Sequence, residues 1–213
     1  MVERRTLALG AGAVAVAALP VTLALTDRHL AGASPALVLS TSAGALAVSA
    51  LAIQPLLARG RRIARHQILG SVALSLVLVH VAALFVEAPD DAWFAMSPDG
   101  PTRARMALIA TIALFGVVAL GALRTRLPIG AWTWRVLHAY LAVVVIALGV
   151  GHAVLTDGAL DGAGTTVLVA LGMLGLLGVP AAHAARTRRG RGGGGSGEDR
   201  GRDAPPCASS NMR

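Results

Sequence analysis

Residues 62–80, RIARHQILGSVALSLVLVH, carry a histidine at each end of an apolar run, His66 and His80. The arrangement returns at residues 134–152, WRVLHAYLAVVVIALGVGH, with His138 and His152. In both stretches the interval is 14 positions. An α-helix turns about 100° and rises 1.5 Å per residue, so 14 steps return to within about 40° of the starting direction and climb about 21 Å. Each stretch therefore predicts a helix with two imidazoles on one face, one towards each side of a bilayer whose hydrocarbon is about 30 Å thick.

Outward from these two stretches the pattern repeats. Apolar runs long enough to span are expected at Leu7–Thr26, Pro35–Ala58, His66–Val86, Met106–Leu123, Thr133–Leu155 and Thr165–Ala185. Such continuous runs point to helices, because barrel strands would give short alternating segments. The first run follows Arg4 and Arg5 and resembles a signal peptide, but it exceeds a usual signal core and has no small-residue cleavage pattern before Asp27, so an uncleaved helix is expected. Between the third and fourth spans, Glu87–Ala104 is expected to be a polar loop with Asp90, Asp91 and Asp99, and with Trp93 and Phe94 at the lipid headgroups.

Composition agrees. Of the 213 residues 55% are hydrophobic and only 14% charged, and the mean hydropathy is +0.67, which places the chain in a lipid bilayer. The net charge of +8 comes from arginine alone, since there is no lysine. These arginines sit between apolar runs and in the tail, which argues for membrane orientation and against nucleic acid. A single cysteine, Cys207, excludes an intrachain disulfide and a cysteine-ligated cluster.

The arginines also predict a topology. Arg4, Arg5, Arg59, Arg61, Arg62, Arg65, Arg124, Arg126, Arg135, Arg186, Arg188, Arg189 and Arg191 fall on one side of a six-span arrangement, and Arg28, Arg103 and Arg105 on the other. The positive-inside bias then puts both termini in the cytoplasm. The expected organisation is an all-α membrane bundle of six transmembrane helices: residues 1–34 form the first helix and outer loop, 35–185 a five-helix core, and 186–213 a disordered Arg/Gly-rich cytoplasmic tail.

The third and fifth spans run in the same direction, so His66 lies at the depth of His138 and His80 at that of His152. A haem iron takes axial imidazoles from opposite sides of its ring, and neighbouring helices of a bundle supply such a pair. Two haem b groups, one above the other, are therefore expected. The faces between the ligands are small, with Gly70, Ala73 and Val77 on one span and Ala142, Val145 and Gly149 on the other. Gly70 and Gly149 sit where a flat macrocycle would need room, although small residues at this spacing also serve plain helix packing. Arg62, Arg65 and Arg135 are candidates for pairing the cofactor's carboxylates, or serve topology alone. His29 and His183 have no counterpart in this scheme. The alternatives are a histidine proton path, a non-haem metal site, or a purely structural membrane anchor.

The segments from Arg62 through His80 and from Trp134 through His152 resemble the ferric reductase-like transmembrane domain, over about residues 35–185. That family includes ferric reductases, the membrane part of NADPH oxidases, and the haem-binding subunit of a bacterial methionine sulfoxide reductase system. The resemblance implies haem b ligation by His66, His80, His138 and His152 in a multi-pass protein of the cell membrane. Past Ala185 the sequence leaves no room for the FAD and NADPH domains of the longer members, and it lacks a Gly-rich dinucleotide fingerprint. The resemblance therefore implies an electron-transfer component supplied by a separate cytoplasmic-side donor, a flavoprotein or quinol. Its acceptor outside would be ferric iron, dioxygen or a redox protein. A bound flavin stays open on sequence alone.

Overall fold

The computed structural model describes residues 18–26, 30–58, 63–156 and 162–192, with side chains in the last segment as far as residue 179. Seven helices make up this part: α1 (18–26), α2 (Pro35–Leu57), α3 (Ile63–Glu87), α4 (Pro89–Met96), α5 (Thr102–Ala122), α6 (Ala131–Val154) and α7 (Gly162–Gly192). There is no strand among the described residues. Five stretches, Pro35–Pro55, Ile63–Glu87, Thr102–Ala122, Ala131–Val154 and Gly162–Val179, are long and apolar enough to cross a membrane. The described part is thus all-helical and fits a multi-pass membrane protein. Of the expected first span only residues 18–26 are described, and these are helical.

Local chemistry sets several boundaries. Ser34 caps α2 by accepting a hydrogen bond from the Leu37 amide at 3.1 Å, and Pro35 occupies the first turn, where its missing N–H costs nothing. The Ser34 hydroxyl also donates to Glu87, tying the start of α2 to the end of α3. Pro55 lies in the last turn of α2, where its missing N–H costs one hydrogen bond to the preceding turn. Pro101 and Gly130 precede α5 and α6 in extended conformation.

Two elements differ from expectation. The polar segment after the third span is not all loop: Pro89 starts α4, with Asp90 and Asp91 in the first turn favoured by the helix dipole. Trp93 on α4 packs edge-on against Phe85, with ring centres 5.2 Å apart, while Trp93 and Phe94 remain exposed. At the other end, α7 continues past the expected limit at Ala185 to Gly192. The run from Ala184 to Arg191 is rich in alanine and arginine, both strong helix formers, so the helix can persist beyond its apolar part. Residues 193–213, with Cys207, lie outside the described residues, as does His29.

The five long helices close a ring. Following contacts round the bundle, α3 packs on α2, α2 on α7, α7 on α6, α6 on α5, and α5 on α3. The core is built from small and branched side chains, Ala50, Leu51, Ala73, Ala113, Leu114, Val117, Val145 and Ile146. Ala73 and Val145 are the midpoints of the two histidine intervals, so the buried core lies between the two histidine levels. Large apolar residues such as Ile68, Val86, Ile112 and Leu177 point outwards. In water this would be a liability, but in lipid it is the ordinary state of a membrane helix.

Where α7 crosses α2 the backbones nearly touch. A Cβ at Gly175 would lie 3.0 Å from the Ala52 Cα and 3.1 Å from its carbonyl oxygen, whereas a Cβ at Gly121 would meet nothing within 4 Å. Gly175→Ala should therefore push the two backbones apart and destabilise the bundle by about 1–3 kcal/mol. Gly121→Ala should be neutral or slightly stabilising. Thermal unfolding in detergent reads both, and equal midpoints for the two variants would contradict this packing.

Candidate histidine sites

The four spaced histidines come together in two pairs, as their intervals predict. His66 on α3 and His138 on α6 have ring centres 6.1 Å apart with planes inclined 55°. His80 and His152, on the same two helices, have ring centres 6.3 Å apart with planes inclined 68°. The α3 and α6 helices are not among the pairs in close backbone contact. They face each other across a gap bridged at two levels by imidazoles.

Each ring is oriented by groups on a neighbouring helix or on its own. At the first level, His66 Nδ1–H donates to the Gln54 carbonyl oxygen at 3.0 Å, and the Gln54 side-chain amide donates back to the His66 carbonyl at 3.3 Å. The Gln54 carbonyl belongs to the last turn of α2, where no amide of the same helix remains to satisfy it. Gly70 makes room for this exchange, since a Cβ there would sit 2.5 Å from the Gln54 amide nitrogen. His138 is stacked on Trp134, one turn earlier on α6, with ring centres 4.9 Å apart and planes 18° from parallel.

At the second level, His80 Nδ1–H reaches both the carbonyl oxygen and the hydroxyl of Ser40, each at 2.9 Å. The Ser40 hydroxyl donates in turn to the His80 carbonyl at 3.2 Å. A carbonyl in mid-helix is normally covered by the residue four positions on, and here that residue is Gly44. A Cβ at Gly44 would lie 3.0 Å from His80 Nδ1 and crowd the imidazole, so glycine here leaves the Ser40 carbonyl open to it. On the opposite side His152 Nδ1–H donates to the Arg103 carbonyl at the start of α5, at 3.0 Å.

A backbone carbonyl can only accept, so His66, His80 and His152 must carry their proton on Nδ1. In the neutral ring that leaves the Nε2 lone pair free to bind a metal. Donation of the other N–H to a carbonyl is how proteins orient histidine ligands and raise their basicity. Two imidazoles on opposite sides of one first-row metal ion, with bonds of about 2 Å, have ring centres about 6 Å apart. Both pairs match that spacing. Among the described residues no three His, Cys, Asp or Glu converge where they could hold a metal ion, so each level offers two protein ligands.

The first pair opens into a cavity of about 360 Å³, within the range of about 300–1,000 Å³ usual for ligand sites. Gly70, Ala142, Trp134, Arg124 and Arg135 line it together with His66 and His138. Of the arginines singled out in the sequence, Arg135 is on this wall, Arg65 is not among the lining residues, and Arg62 lies outside the described residues. Arg124, which in the sequence signals topology alone, also lines the cavity, with its guanidinium carbon 4.8 Å from the Trp134 ring centre. Gly149 has open space beside it, and a Cβ there would meet nothing within 4 Å. The side chain of His183 is outside the described residues.

Sequence reasoning missed Ser40, Gly44, Gln54, Arg103 and Trp134. One signal was present: Ser40 and Gln54 are polar residues in an apolar helix and are themselves 14 apart, the histidine interval again. Comparison with protein-family models, curated proteins and solved structures finds no match.

The hydrogen bonds to carbonyls fix a measurable tautomer. Nitrogen-15 NMR of the histidine-labelled chain in detergent near pH 8 should show His66, His80 and His152 as Nδ1–H tautomers with unprotonated Nε2. Nε2–H tautomers at these positions would contradict the described ring orientations.

Proposed function

We propose that the chain is a b-type membrane cytochrome that holds two haems, one between His66 and His138 and one between His80 and His152. It would pass single electrons across the cell membrane. The observation that carries this reading is the pair of imidazole couples at ring-centre distances of 6.1 and 6.3 Å on two helices held apart from one another. Haem supplies an iron that changes by one electron, together with its own ring nitrogens, so two protein ligands complete its coordination. Zinc and non-haem iron sites ask for three or more side chains, which favours haem for a two-histidine site. The resemblance to the ferric reductase-like transmembrane domain points the same way.

In this reading Gln54, Ser40 and Arg103 orient the ligands through their carbonyls, Gly70 makes room for the Gln54 amide, and Ala142 and Gly149 keep space beside the ligands. Arg124 and Arg135 would pair carboxylates of the group bound in the first cavity, as guanidinium forks commonly do. A histidine proton path is the competing reading, and it needs polar groups or water between the two levels. The core at that layer is mainly Ala73, Leu114, Val145 and Ile146, and the buried Ser49 hydroxyl on α2 is already engaged by the Ala45 carbonyl. The arginine distribution supports six spans with both termini in the cytoplasm, which puts the first pair on the donor side. The donor would be a flavoprotein or quinol, and the acceptor ferric iron, dioxygen or an extracytoplasmic redox protein.

A reduced-minus-oxidised spectrum with pyridine haemochrome quantification on the detergent-purified chain tests the proposal. About two haems b per chain are expected, with about one lost in His80→Ala and about one in His138→Ala. A colourless protein after expression with ample haem would overturn it.

A further inference from the structure

We infer that Trp134 is a positioning residue that sets the ring plane of His138, and so makes the first histidine pair electronically distinct from the second. The inference rests on the haem reading for its consequence, but its geometry stands on the chain alone. Trp134 precedes His138 by one helical turn, so both side chains leave the same face of α6. Their rings are nearly parallel, at 18° and 4.9 Å between centres. Stacking of this kind restricts rotation of the imidazole about its bond to Cβ.

The indole can impose a plane because it is itself pinned. Its Nε1–H donates to the Leu120 carbonyl on α5 at 2.9 Å, and Leu120 is buried. The Arg124 guanidinium lies over the same ring at 4.8 Å, a cation–π contact that adds a further restraint. Trp134 therefore braces α6 against the end of α5 and holds His138 by its face. Among the described residues His138 is the one spaced histidine with an indole stacked on it, whereas His66, His80 and His152 are set edge-on by carbonyls. The two levels also differ in the angle between their imidazole planes, 55° against 68°. Ligand-plane orientation and nearby fixed charge are among the levers by which a protein tunes a haem iron. Trp134 holds the first, and through Arg124 it stands beside the second.

The test compares Trp134→Phe, which keeps an aromatic face but loses the hydrogen bond, with Trp134→Leu, which loses both, in the full chain. Haem content, low-temperature EPR of the ferric protein and a redox titration are read together. Signals are normalised to the haem that each variant retains. One of the two low-spin signals and one of the two midpoint potentials should move, more in Trp134→Leu than in Trp134→Phe, with the other site unchanged. Wild-type signals and potentials in Trp134→Leu, or equal shifts at both sites, would overturn the inference. If Trp134→Leu fails to assemble, the site-selective shift in Trp134→Phe decides alone. The haem-free chain provides a second readout: in histidine-labelled NMR spectra, Trp134→Leu should displace His138 ring signals by loss of the indole ring current and leave His80 and His152 in place. Absence of that displacement overturns the inference independently. A wild-type chain that binds no haem but shows the His138 displacement would sink the cytochrome reading and leave the positioning role standing.

Discussion

The hydrogen bonds from His66 to the Gln54 carbonyl and from His80 to the Ser40 carbonyl lock α2 and α3 in one antiparallel register. Each step up α3 is matched by a step down α2, so the same 14-residue interval separates both donors and both acceptors. A slip of one residue would turn a histidine by about 100° on its helix and take both rings away from their carbonyls together. Two bonds this far apart therefore act as one constraint on the helix pair. Within a membrane-spanning bundle an unpaired imidazole N–H or helix carbonyl is costly, which favours the register in which both are satisfied.

Everything facing α3 is placed by that register. With its imidazoles held from behind by α2, α3 presents them inwards, and α6 brings His138 and His152 to meet them without its backbone closing on α3. The ring of helices carries the load that a direct α3–α6 contact would otherwise bear. On one side α5 packs on α3 and is tied to α6 by the Arg103 carbonyl at one level and the Leu120 carbonyl at the other. On the other, α7 lies so close to α2 at Gly175 and Ala52 that the ring stays narrow. Small residues thus do two different things here: Gly175 lets helices approach, and Gly44 and Gly70 let a polar side chain reach a backbone.

The parts of this arrangement that were legible in the sequence are those that depend on periodicity. The apolar runs from Pro35 onwards became helices with ends within about four residues of expectation, except that α7 runs on to Gly192, and the 14-residue interval placed four histidines at two levels. The supporting contacts were not legible, because a backbone carbonyl is present at every position and nothing in its residue type marks it as an acceptor. Ser40 and Gln54 could have been noticed as polar residues at the histidine interval, but Arg103 could not, since its carbonyl and not its guanidinium is used. Gly70 has a neighbour that spacing alone does not suggest: the room it leaves at close range is filled by the Gln54 amide. The helix α4 was hidden by its length, since eight residues with two aspartates read as loop until the Pro89 start and the Phe85–Trp93 contact are seen.

The apolar layer around Ala73 and Val145 has an electrical meaning as well as a packing one. The two histidine levels are about 21 Å apart along the helices, against a hydrocarbon thickness of about 30 Å. Because the layer is mainly apolar, a charge passed from one level to the other would cross most of the membrane's field with little to offset it. Moving one elementary charge through the whole field takes about 2.3 kcal/mol per 100 mV. On the cytochrome proposal, transfer between the two levels would be electrogenic, and the resting voltage of the membrane would be one of the quantities that sets its rate and direction.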